Sequence, residues 1–232
     1  VTAFHLYEDA AAGTFLIVTG VGKIRSAAAV GFLAARAAPS CWINVGTAGH
    51  PELPVGTVRL AHKIVDRDSG RAFYPQWPVD APAVTDDLVT VSRPVSDFPE
   101  AALHDMEAAG FCESARHFAT LEWIHAVKVV SDNRGTAFQR ARVGELMEAS
   151  LPVLERFLSD LGELHESVRD PLPLDLERIA AAVCLTRAQT RRMERLLRRW
   201  QALSPDTLPS EAELCRLDRA TLLSWLRRRM RD

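Results

Sequence analysis

Residues 15 to 19 read Phe-Leu-Ile-Val-Thr, and Gly20, Gly22 and Lys23 follow at once before an Ala-rich run from residue 26 to residue 38. A five-residue apolar run is short for a buried helix and suits a strand, the glycines permit a tight turn, and alanine favours helix. Strand, glycine turn and helix in that order form the repeating unit of an α/β sheet. The pattern returns along the chain. Residues 41 to 45 make a second strand that ends in Gly46, Thr47, Ala48 and Gly49, where small side chains let a ligand approach the backbone. Residues 56 to 65 make a third, with Val58, Leu60, Ile64 and Val65, and lead into the charged Asp66, Arg67 and Asp68. From 69 to 99 the chain is rich in Pro, Asp and aromatic residues, and only 88 to 91 reads as a strand.

Residues 106 to 118 keep a helical period, with Met106, Ala109 and Cys112 inward and Glu107 at the donor-rich start. Val127, Val129 and Val130 then form a strand ending in Ser131, Asp132 and Asn133, with a helix from about 137 to 160 beyond it. Polar residues at the end of an apolar strand lie where α/β sheets bind ligands. The fold expected is α/β, a mixed central sheet flanked by helices, with connections too long for a simple hairpin protein.

Pro171 and Pro173 mark the next break, after which residues 174–184, 187–200 and 217–230 read as helices. The expected organisation is an α/β domain over 1–169 and an Arg-rich helical extension over 170–232 packed on the same domain. With 232 residues, 47% apolar and 25% charged, the chain can bury one sizeable core or two small ones, which excludes disordered and fibrous classes. The net charge of -2 gives no global case for a polyanion binder. The extension nevertheless holds 13 Arg against 9 acids. Arg187, Arg191, Arg192, Arg195, Arg198 and Arg199 share a segment with Leu196, Leu197 and Trp200, so the segment is expected to be a solvated structural helix with an apolar inner face. Nucleic-acid binding through this tail is the rival from another functional class and is not the expected partner.

Cys41, Cys112, Cys184 and Cys215 are widely spaced, which predicts buried reduced thiols. His62, His104, His117 and His125 lack a ligand spacing, so no metal is expected. Neither a long apolar span nor a signal peptide is visible, and a cytoplasmic protein without integral membrane association is expected.

The motifs TGVGKIRSAAAV, NVGTAGH, LPVGTV, DMEAAGF and VKVVSDN, in that order between Phe15 and Asn133, resemble the nucleoside phosphorylase and nucleosidase superfamily. That group contains purine and uridine phosphorylases and methylthioadenosine/adenosylhomocysteine nucleosidases. The forms KVVSDN and DMEAAGF are also similar to those of phosphorylases associated with adenosyl-hopanoid processing. The resemblance implies cleavage of a purine nucleoside at its N-glycosidic bond, by phosphate or by water, without a cofactor. It implies Asp132 as the acid that serves the purine, with Ser131 beside it, Glu107 on the ribose hydroxyls and Met106 against sugar or base. Thr47, Ala48 and Gly49 would form the floor. Gly20, Gly22, Lys23 and Arg93 would bind phosphate as co-substrate, and Arg93 is as well read as a surface loop residue.

The superfamily places a strand ahead of Phe15 whose following segment supplies a catalytic acid or binds phosphate, and that strand is expected to be absent from residues 1–14. His5, Tyr7 and Glu8 lie near that place, Glu8 does not align with the nucleosidase acid, and an opening segment before Val1 is expected. Phe73, Tyr74 and Trp77 suit either an aromatic lid over the base or a subunit contact. A homo-oligomer, a dimer in the first instance, is implied. A noncatalytic nucleoside-binding protein or scaffold is the alternative.

Overall fold

In the computed structural model, which describes residues 4–37, 39–168 and 172–229, the chain divides into two compact units, Val1–Glu166 and Ser167–Asp232. Ala38, Pro171 and Met230, at which the sequence reading ended or broke segments, lie outside the described residues.

The first unit opens with β1 (His5–Asp9) and β2 (Thr14–Val18), an antiparallel hairpin in register from His5↔Val18 to Asp9↔Thr14. The Asp9 carboxylate accepts from the backbone N–H groups of Ala11 and Ala12, and Gly13 takes the left-handed backbone that closes the turn. Helix α1 (Lys23–Arg36) follows, then β3 (Trp42–Gly49), β4 (Val58–Asp66), β5 (Ala72–Phe73), β6 (Thr85–Thr90) and β7 (Leu103–Asp105). Helix α2 (Ala108–Ala115) leads to β8 (Ile124–Asp132), and α3 (Val143–Val168) follows it.

Strands β3 to β8 form one mixed sheet in the order β5-β4-β6-β7-β3-β8. The pairs β3–β8, β4–β6 and β6–β7 are parallel, whereas β3–β7, β4–β5 and β4–β8 are antiparallel. The β4–β8 pairing, Val58↔Val129 to Leu60↔Val127, joins the two ends of the order, so β4, β6, β7, β3 and β8 close on themselves as a small barrel.

Burial explains why β8 reads as nearly continuous apolar sequence: every residue from Ile124 to Ser131 is buried. Ala126 and Val130 join a core with Val30 and Leu33 of α1 and Ala109 and Cys112 of α2. Val127 packs instead with Leu60 and with Phe157 and Leu161 of α3, so opposite faces of one strand serve different helices. Helices α1 and α2 meet at Gly110, where any side chain would collide with the Lys23 carbonyl.

Four expectations need correction. Residues 1–14 do hold a strand, β1, whose largely exposed residues carry no apolar run to announce it. The Phe-Leu-Ile-Val-Thr segment pairs only with β1, outside the central sheet, and Leu16 and Val18 face solvent at 59% and 52% exposure. Apolar runs report strand formation without reporting which sheet a strand joins. Helix α2 starts at Ala108, so Met106 and Glu107 precede it, following the short strand β7 that the sequence reading lacked. The helix expected from 137 starts at Val143, after a loop in which Asn133 and Thr136 form an isolated bridge.

The second unit is helical: α4 (Leu176–Ala182), α5 (Arg187–Leu203), α6 (Glu211–Cys215) and α7 (Leu222–Arg229). Its own core joins Ile179, Met193, Leu197, Trp200, Leu214, Leu222 and Leu226. Capping boxes Thr186/Gln189 and Ser210/Glu213 start α5 and α6. Among the described residues no helix is long and apolar enough to cross a membrane. Cys112 is buried and burial pushes its thiol up to about 12, but Cys184 is exposed, which corrects the expectation that all four thiols are buried.

Candidate active site

Strands β3 and β8 run parallel and finish side by side, with Gly49 opposite Asp132 after an irregularity in the register. The Asp132 carbonyl accepts from His50 N at 3.0 Å, which fixes the strand end, while Ser131 Oγ donates to Asp132 Oδ1 at 2.6 Å and lies 3.3 Å from the Ala48 carbonyl. A β-carbon on Gly49 would sit 2.6 Å from the Phe98 ring and 2.8 Å from Asp132 Oδ2. Only glycine lets the ring and the carboxylate approach the strand this closely.

Phe98 is 2% exposed, and its φ of 42° lies in the left-handed region, costly for a bulky residue. Its carbonyl accepts from Arg134 Nη2 at 3.2 Å, and its ring meets His104 edge-on at 5.6 Å. The Phe98 ring thus stands beside the Asp132 carboxylate, packed against Gly49. Nothing in the sequence pattern singles out Phe98, because a loop carries it there.

Strand β7 pairs with β3 at Gly49↔His104, and this brings the residues after β7 to the same rim. Glu107 caps α2, with Oε1 accepting from Gly22 N at 2.7 Å and Oε2 from Met106 N at 3.3 Å. The carboxylate expected on the sugar and the glycine turn expected on phosphate are therefore joined by a hydrogen bond across 85 residues of sequence. Met106 is half-buried against Val89, Val91 and Ala102.

Beneath Glu107 lies a buried polar network that sequence reasoning missed. Lys128 Nζ pairs with Asp105 Oδ2 at 2.8 Å, with the two side chains 1% and 0% exposed. Asp105 also accepts from Thr90 Oγ1 at 2.7 Å and from Ala108 N at 2.8 Å, and Thr90 Oγ1 accepts from Ala109 N at 2.9 Å. The first N–H groups of α2 are thereby satisfied from within, and Glu107 is anchored. Gly46 leaves room for the ammonium, which lies 3.3 Å from where its β-carbon would be. A lone lysine inside the apolar run Val127 to Val130 was the available signal.

The glycine turn bends through left-handed backbone at Gly20 and Gly22, and the Arg25 side chain lies against Gly20. Lys23 Nζ pairs with Asp66 Oδ1 at 2.6 Å and Asp68 Oδ2 at 2.5 Å, and Asp68 also accepts from Ser92 Oγ. Burial opposes the Lys23 charge, but the two carboxylates outweigh it and hold its pKa above the ordinary value. Lys23, and then Ser92, hold the Asp68 carboxyl below the usual range. Arg93 is exposed in the loop after β6.

Asp132, Ser131, Ala48 and Gly49 thus meet at one rim, which Glu107 and Met106 reach through β7, and Thr47 lies half-buried one step down β3. The aromatic trio does not assemble there: Phe73 joins the main core, Tyr74 is 56% exposed, and Trp77 stacks on His125 at 5.1 Å, at the other end of β8 from Asp132. His5, Tyr7 and Glu8 are exposed on β1. Among the described residues no group of three or more His, Cys, Asp and Glu is arranged to hold a metal ion.

No protein-family model matches the sequence, and no curated protein matches it. Solved structures do match the fold. The MTA/SAH nucleosidase of Streptococcus pneumoniae, in complex with 8-aminoadenine, superposes with a TM-score of 0.55 at 23% identity, over 68% of this chain and 85% of that one. The 5'-methylthioadenosine/S-adenosylhomocysteine nucleosidase of Neisseria meningitidis, in complex with methylthio-immucillin-A, gives 0.53 at 21%, over 68% and 85%. Futalosine hydrolase of Helicobacter pylori gives 0.54 at 14%, over 67% and 83%. The chain has the mixed α/β fold of these structures.

Proposed function

We propose that this rim cleaves the N-glycosidic bond of a purine nucleoside, a 5'-modified adenosine derivative in the first instance. The observation that carries the reading is the Asp132 carboxylate set against the Phe98 ring over Gly49, with Glu107 on the same rim. Nucleosidases of this fold provide independent support.

Cleavage of the bond leaves positive charge on the sugar and negative charge on the departing base. Asp132 supplies a proton to the base nitrogen, and Ser131 holds its carboxyl in place. Glu107 receives the sugar hydroxyls, its negative charge steadying the cationic ring, once substrate displaces part of its bond to Gly22. Both effects are stronger in the transition state than in the ground state, which is what raises turnover.

The test is incubation of purified protein with a panel of adenosine derivatives and separation of base from sugar. Asp132→Asn and Glu107→Gln should each lower kcat by a factor on the order of 100 or more while leaving the circular dichroism unchanged. Near-normal turnover in both variants refutes the site. Tight nucleoside binding with no turnover in the parent protein assigns it a binding role instead.

A further inference from the structure

The corner between the start of α1, the end of β4 and the loop after β6 is where an anionic co-substrate would approach the sugar, since Gly22, next to Lys23, is bonded to Glu107. It already contains an anion. The Asp68 carboxylate lies between Lys23 Nζ and Ser92 Oγ, making with one oxygen the ammonium and hydroxyl contacts a phosphate oxygen would make. Asp66 holds the same ammonium from another side and accepts from Ser69 Oγ at 2.7 Å.

Several donors around this corner are likewise engaged. Gly22 N–H points to Glu107, and the first N–H groups of α2 point to Asp105 and Thr90. Arg67 is held by Glu100 and lies 3.4 Å from His104. Lys23, paired with both Asp66 and Asp68, leaves these three groups with one negative charge in excess. Arg25, lying over Gly20, and the exposed Arg93 are further cations near it, and both are open to solvent, where their attraction is screened.

We propose that Asp68 is a built-in occupant of the phosphate position, and that the glycosidic bond is therefore broken by water. The inference rests on the nucleoside-cleaving reading of the same rim. The oxygen of water bonds to C1' of the sugar as the bond from C1' to the base nitrogen breaks, and its electron pair leaves with the base. One proton leaves the attacking water to solvent and one reaches the base through Asp132, which solvent recharges. The sum is nucleoside plus water giving free sugar plus base, with no phosphate consumed.

Two measurements separate this from the parent reading. In the first, inorganic phosphate is titrated into the full chain, followed by phosphorus NMR and by the shift in melting temperature, neither of which needs turnover. The parent protein should show no saturable binding. Asp68→Ala, which removes the carboxylate and vacates the place between Lys23 and Ser92, should bind phosphate saturably and at least tenfold more tightly than the detection limit set by the parent. Asp66→Asn removes an equal charge without vacating the place between Lys23 and Ser92 and should gain much less. Saturable binding in the parent protein overturns the proposal, as does an equal gain in the two variants, which would make net charge alone responsible. In the second, products formed with and without phosphate are resolved. Free sugar at a phosphate-independent rate supports the proposal, and sugar 1-phosphate overturns it. Absence of cleavage of any nucleoside defeats the parent reading, while the phosphate titration still decides whether Asp68 fills the anion position.

Discussion

His125 provides the sharpest test of the packing. It sits in β8, fully buried, stacked on Trp77 at 5.1 Å and edge-on to Phe157 at 4.9 Å, and neither ring nitrogen has a hydrogen-bond partner among the described residues. Burial pushes its pKa down to about 4 from an ordinary 6.5, and the Glu122 backbone offsets this only in part. The neutral ring is thus the one the fold accepts, and the unfolded chain binds the proton more readily. Its contribution to stability is complete above pH 6.5 and is lost as pH falls through about 4. A shift of this size corresponds to roughly 3 kcal/mol in full and about 2 kcal/mol at about pH 5.

The assay is urea unfolding followed by tryptophan fluorescence at about pH 7.5 and about pH 5, on the parent protein and on His125→Phe. The parent should lose about 2 kcal/mol more than the variant on acidification. Subtraction is needed because His50, whose pKa burial also lowers, and the ion-paired carboxylates of Asp66 and Glu100 destabilise the fold in the same direction on acidification. Equal losses in parent and variant would refute the claim that the ring is held neutral in an apolar cage.

Other consequences are open to measurement. Lys128→Met strands the buried Asp105 carboxylate and should cost about 3–5 kcal/mol in denaturant unfolding; a cost under about 1 kcal/mol would show that Asp105 is not desolvated. Gly110→Ala forces α2 away from the Lys23 carbonyl and should destabilise by about 1–3 kcal/mol, unlike Gly144→Ala, whose β-carbon meets nothing within 4 Å. Phe98→Ala removes the ring beside Asp132 and should raise KM for a nucleoside on the order of tenfold with little change in kcat, and an unaltered KM would remove the ring from the base pocket. With a disulfide reagent such as Ellman's, Cys184 should react in the native protein and Cys112 only after unfolding, as their burial dictates.

Much of the fold was legible because single elements announce themselves locally. The apolar run at Val127 to Val130, the small residues at Gly46 to Gly49 and the alanines of α1 each carry a period or a composition that one strand or helix imposes. The position of Asp132 at a strand end was legible for the same reason. Strand β7 escaped because its three residues are too few for a period, and the hairpin β1–β2 because pairing partners leave little trace in either strand. Phe98 escaped because its place depends on a left-handed backbone in an irregular loop.

The sequence by itself determined the alternation of strands and helices, the glycines at the strand ends, and the presence of the two acids, Asp132 and Glu107, that the family resemblance singles out. Tertiary structure decided which charges remain available. Lys23 read alone is a cation at a glycine turn, yet the strand end at Asp66 and the loop at Asp68 and Ser92 fold over it and neutralise it. Lys128 read alone is a charge in an apolar strand, and Asp105 makes it half of a buried pair. Electrostatics depends on distance through space, and hydrogen bonds such as Gly22 to Glu107 span separations in sequence that no local pattern records.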